Sequence, residues 1–167
     1  MKNFIKNFFF GVLIIGMASC EKDDELTTLA RVDFPAPPEL SSSHLQLVQD
    51  QQAQPALNIS WEEVIFPIDA PVDYRVQFSV PADTVGETAW QNAITVNAGT
   101  DVFSKTFTGL EINQMAGTLG LEPEVEGTLV TRVLAVMDRS IASEAVGFSV
   151  IPFATIITQT EVYLPGT

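Results

Sequence analysis

Apolar and polar residues alternate with a period of two along two stretches of this chain, the pattern of strands with one face buried and the other in water. Leu57, Ile59 and Trp61 alternate with Asn58 and Ser60, and Tyr74, Val76, Phe78 and Val80 alternate with Arg75, Gln77 and Ser79. Both segments are predicted strands, with Trp61 and Tyr74 on the inward set. Ile94 and Val96 mark a shorter strand, Phe103 to Phe107 another, Leu129 to Met137 a long one, and Val146, Phe148 and Val150 the last. Near Val133 to Met137 the pattern is apolar on both faces, which predicts a central strand. Leu45-Gln46-Leu47-Val48 reads as a first edge strand, followed by a glutamine-rich loop.

Turn-forming residues separate these runs: Pro67 to Pro71, Pro81-Ala82-Asp83, Asn97-Ala98-Gly99-Thr100, Glu122-Pro123 and Asp138-Arg139-Ser140. Only Leu110 to Leu119 offers helical spacing, and Gly117 and Gly120 predict that it stops after a turn or two. About seven strands without a crossover helix exclude doubly wound α/β folds and predict one all-β sandwich over residues 44–153. Ahead of it, residues 20–43 hold Pro35, Pro37, Pro38 and a serine triplet, and read as a flexible tether whose one strand-like piece is Arg31 to Phe34. Behind it, residues 154–167 read as a connector and the opening of a truncated following domain, since Thr160 to Leu164 alternates and then meets Pro165-Gly166. The competing expectation is a complete protein whose last strand pairs with the first sheet.

Charge and composition narrow the chemistry. The 167 residues carry 21 acidic and 8 basic side chains, a formal charge of -13, which argues against nucleic acid as a partner. An apolar fraction of 46% is enough for a packed core. One cysteine and one histidine exclude both an intramolecular disulfide and a zinc site built from those ligands. His44 follows Ser41-Ser42-Ser43 without the strand-turn-helix context of a nucleophile elbow, so no Ser-His-Asp catalysis is expected. The carboxylates Glu62, Glu63, Asp69, Asp73 and Asp101 show no spacing that establishes a glycosidase pair, and those around Asp69 and Asp73 lack the spacing of an EF-hand. The expectation is a non-enzyme with no cofactor, no catalytic residues and no metal site.

The first nineteen residues read as a signal peptide. Lys2 and Lys6 precede an apolar run from Phe8 to Ala18, too short to cross a hydrocarbon core of roughly 30 Å. Met17-Ala18-Ser19-Cys20 resembles the bacterial lipoprotein signal, although methionine stands where leucine is usual; the resemblance implies that Cys20 is acylated and becomes the mature N-terminus. Multiple acyl chains at roughly 0.8 kcal/mol per buried methylene would anchor the protein stably. The following Glu21-Lys22-Asp23-Asp24-Glu25 looks like the acidic signal that sends Bacteroidetes lipoproteins to the outer face of the outer membrane, with Lys22, Asp23 and Asp24 as its core; the plainer alternative is a solvated tether. The mature chain would hold 6 basic and 21 acidic side chains, a charge of -15.

The strand segments resemble the fibronectin type III and immunoglobulin-like group. Ile59-Ser60-Trp61 is similar to its second strand with a core tryptophan, Tyr74-Arg75-Val76-Gln77-Phe78 to its third, and Thr131-Arg132-Val133-Leu134-Ala135-Val136 to its sixth, with Leu129 where the corner tyrosine usually stands. Taken whole, the chain resembles the N-terminal region of SusE/SusF-type starch-binding outer-membrane lipoproteins. That resemblance implies an outer membrane lipid anchor facing the cell exterior, starch or α-glucan binding by downstream domains, and a SusC/SusD-like uptake complex as partner. This domain would then serve as spacer or docking unit. Two alternatives stand beside it: the sandwich itself binds carbohydrate, or it serves surface adhesion. Sugar rings stack on exposed aromatic faces. Trp61 and Tyr74 are expected in the core, which leaves Trp90, in the polar stretch Glu87 to Asn92, as a fallback platform or as a cap over the sandwich edge.

Overall fold

The longest strand among the described residues is also the centre of the larger sheet. A computed structural model of the protein describes residues 31–155. In chain order the elements are β1 (Glu39–Leu40), β2 (His44–Gln46), β3 (Pro55–Ser60), β4 (Asp73–Ser79), β5 (Ile94–Thr100), β6 (Ser104–Thr108), α1 (Gly109–Thr118), β7 (Gly127–Val136), β8 (Ser140–Ala142) and β9 (Val146–Ile151). One sheet has the order β1-β3-β6 and the other β2-β9-β7-β4-β5, with β8 also paired to β7. β7 bonds β4 along one side and β9 then β8 along the other, the central position its apolar run predicts.

The inward residues of the alternating strands form the core. Phe78 of β4 meets Phe107 of β6 edge-on at 5.0 Å, bridging the two sheets, and lies 6.4 Å from Phe148 of β9. Trp61 and Tyr74 are both buried, with ring centroids 5.7 Å apart. Leu129 is fully buried at the corner position. A sandwich of two sheets is what the alternation predicts, with nine strands among the described residues in place of about seven.

Several local expectations change, among them the turn expected at Asn97 to Thr100, which lies within β5. The tether expected over residues 20–43 is, from Val32 onward, part of the sandwich: Val32 and Pro38 are buried, Leu40 packs on the core, and β1 pairs with β3. Arg31 to Phe34 forms no strand. The serine triplet is the crossing where the chain leaves the small sheet and enters the large one, since β1 pairs antiparallel with β3 and β2 parallel with β9. Its hydroxyls serve the backbone there: Ser41 Oγ accepts from Asn58 N–H at 2.9 Å, and Ser42 Oγ donates to the His44 carbonyl at 2.6 Å.

The helix is also longer than a turn or two. Thr108 and Glu111 form a capping box, with Thr108 Oγ1 accepting from Glu111 N–H and Glu111 Oε2 accepting from Thr108 N–H at 2.7 Å. Ile112, Met115 and Ala116 bury one face, and Gly120, at φ 85°, follows the helix end. The cap and the buried stripe outweigh the low helix propensity of Gly117.

The strands define two ends. Glu39 pairs with Ser60, Ser60 with Ser104, and Asp73 with both Thr100 and Val136, so the chain comes into β1 at the end formed by the β3–β4, β5–β6 and β7–β8 connections. We call this the proximal end. β9 runs in the same direction as β1, reaching Val150 opposite Gly127, and the chain leaves it at the distal end beside α1. There Asn113 holds the departing backbone, accepting from Phe153 N–H at 2.8 Å and donating to its carbonyl at 3.1 Å.

Candidate functional site

Trp90 is the candidate platform that the structure places most informatively. It lies in the β4–β5 connection at φ 66°, the left-handed region that a bulky residue adopts only when held, and its N–H donates to the Asp83 carbonyl at 2.7 Å. The guanidinium of Arg132, on the outward face of β7, sits 4.0 Å from its ring centroid. Arg132 Nε donates to Gln77 Oε1 at 2.8 Å, and Gln77 Nε2 donates to Thr95 Oγ1 at 2.9 Å, so one row of side chains runs across β7, β4 and β5. Desolvation holds the Arg132 pKa below its ordinary value. Trp90 is half-buried and one of its ring faces is engaged by a cation.

The other aromatic candidates are inside. Tyr74 is fully buried, and its hydroxyl accepts from Val64 N–H at 3.0 Å. Burial raises its pKa, an effect larger than the opposing backbone hydrogen bond. This contact fixes the start of the β3–β4 loop. At the loop's other end Asp101 Oδ1 accepts from Val72 N–H, and Asp101 N–H donates to the Val72 carbonyl, each at 2.9 Å. Between these staples Val64 and Phe66 are buried while Ile65 and Ile68 project, 81% and 63% exposed. The loop borders a cleft of about 540 Å³ reached by Glu63, Asp69 and Asp101.

His44 gains partners that its sequence neighbourhood does not reveal. Its Nδ1 lies 2.7 Å from Ser149 Oγ and 3.3 Å from Glu126 Oε1. Both contacts use the same ring nitrogen on an exposed surface. A catalytic relay needs serine and carboxylate on opposite nitrogens, so this trio does not form one. Among the described residues no group of three or more His, Cys, Asp or Glu side chains could hold a metal ion, and no helix is long and apolar enough to cross a membrane. Cys20, Lys22, Asp23 and Asp24 lie outside the described residues.

What the fold defines is a two-sheet β-sandwich. The SusE outer membrane protein family matches residues 22–134, more than half of the chain, and the chain belongs to that family. Membership places it at the outer membrane, among surface proteins of polysaccharide utilisation. No curated protein matches the sequence.

Proposed function

We propose that this chain is a lipoprotein of an α-glucan capture and uptake system, held in the outer membrane by acyl chains on Cys20 and exported to the cell surface through Lys22, Asp23 and Asp24. In this reading the sandwich is a spacer or docking unit, and glycan recognition belongs to domains downstream of it. The observation that carries the proposal is the placement of the two chain ends: the polypeptide comes in at the proximal end and leaves at the distal one. A ten-residue strand such as β7 rises about 33 Å, so the domain would place whatever follows it roughly that far from its own proximal end. Lifting binding sites clear of a crowded surface raises the effective concentration at which they meet a polymer. The strand order, with β1-β3-β6 facing a sheet that contains β4, β5, β7 and β9, supports the fibronectin and immunoglobulin-like reading.

A second reading, glycan binding by the sandwich itself, draws on the row formed by Trp90, Arg132, Gln77 and Thr95. Two experiments separate the possibilities. Native electrophoresis of Glu21 to Thr167 should give the same mobility with and without amylopectin in the gel, and retardation abolished by Trp90→Ala would overturn the spacer assignment. Fractionation of cells should find the full chain in the outer membrane and a Cys20→Ala variant released; retention of that variant would refute the lipid anchor.

A further inference from the structure

The proximal end carries a feature that a passive spacer does not need. Its β3–β4 loop is fixed at both ends by buried or half-buried hydrogen bonds, to the Tyr74 hydroxyl and to Asp101, and yet presents Ile65 and Ile68 to solvent at 81% and 63% exposure. Scattered exposed apolar residues are ordinary on a protein surface. Here the intervening Phe66 is buried and works as an anchor for the two that are not. The loop is therefore held in the shape that displays them, so docking through it would lose little conformational entropy. Exposed carboxylates surround the display: Glu62 and Glu63 precede Ile65, Asp69 follows Ile68, and Asp101 pins the loop base.

We infer that the Ile65–Ile68 loop is a docking element for a neighbouring outer-membrane protein that offers an apolar depression rimmed by lysine or arginine. This rests on the anchored orientation proposed above. Eleven peptide steps from Cys20 to Arg31 reach at most about 40 Å, and in the proposed orientation the chain then comes into β1 at the proximal end, which would face the membrane. Charge decides among the occupants. A phosphate-rich lipid surface would repel Glu62, Glu63 and Asp69, and inserting the isoleucines would strip water from those carboxylates. A second copy would bring the same acidic rim against itself, in a mature chain with 21 acidic and 6 basic side chains. A cationic rim matches the carboxylates while the depression takes the side chains, the arrangement of an apolar centre inside a polar ring.

The test uses the full-length chain in its own cells, with photo-reactive benzoylphenylalanine at position 65 and, as a control, at Val125, an exposed distal-end residue. The expected result is an adduct from position 65, and none from position 125, with one outer-membrane protein, mapped to an apolar stretch flanked by lysine or arginine. Its yield should fall about tenfold in Ile68→Ser and in Asp69→Lys backgrounds, as expected for a contact in the apolar centre and one on its polar rim. An adduct with lipid alone, an adduct with a second copy, a mapped stretch lacking basic residues, a yield indifferent to Asp69→Lys, or no adduct from a membrane-retained chain would each overturn the inference. A wild-type chain absent from the membrane fraction would instead show that the anchored orientation is wrong, and the inference would fall with it.

Discussion

The two ends of the sandwich tie down their backbone alike but display their apolar side chains differently. At the distal end a ten-residue helix closes the gap between the sheets, its first turn satisfied by a capping box, and Asn113 clamps the departing chain at Phe153. At the proximal end two comparably firm staples hold the β3–β4 loop, but Ile65 and Ile68 remain in water. Backbone groups are tied down at both, although Trp61 Nε1 and Arg139 Nε at the proximal end are buried without a hydrogen-bond partner. What differs is how apolar side chains are displayed: the distal connections each leave a single valine in water, Val48, Val85 or Val125, whereas one stapled proximal loop exposes Ile65 and Ile68 together, and that pairing marks the region able to meet a partner.

Substitutions ordered by expected effect would sharpen this contrast. Phe78→Ala removes the ring shared by both sheets and should cost about 3–5 kcal/mol in urea denaturation, loosening both ends together. Asn113→Ala leaves the Phe153 N–H and carbonyl without their buried partner and should cost about 2 kcal/mol, with hydrogen exchange rising at the distal end and not in the β3–β4 loop. A smaller loss, about 1 kcal/mol at neutral pH, is expected for Thr108→Ala.

That penalty should shrink in acid. The Thr108 backbone and side-chain hydrogen bonds lower the pKa of Glu111 in the fold, so its contribution is complete above the unfolded carboxylate value and is lost as pH falls through the folded one. Denaturation of wild type and Thr108→Ala as pH is lowered through that range checks the convergence. Least of all, Ile65→Ser should change stability by no more than about 0.5 kcal/mol, because the side chain is already in water; a large loss would mean that Ile65 is packed and unable to serve as a contact.

Strand content was legible because local alternation and burial agree. Leu57 and Ile59, and Tyr74, Val76 and Phe78, point inward as their spacing requires. What escaped the sequence depends on partners far along the chain. Trp90 has polar neighbours and reads as a loop residue, but the cation on its ring comes from Arg132, and His44 meets Glu126 and Ser149. Neither pairing has a local signature. The helix had one: Thr108 followed three residues later by Glu111 is a capping signal, and the glycines nearby obscured it. The serine triplet marks the sheet crossing, whereas composition alone gives it the look of a tether.

The crossing has a mechanical consequence. β2 and β9 run in parallel, joined by bonds that include Ser149 N–H to the Ser43 carbonyl and Leu47 N–H to the Ile151 carbonyl, each at 3.0 Å. A pull on the two termini in opposite directions draws β2 toward the proximal end and β9 toward the distal one. The ladder is then loaded along its length, and its bonds share the force instead of opening one after another like a zip.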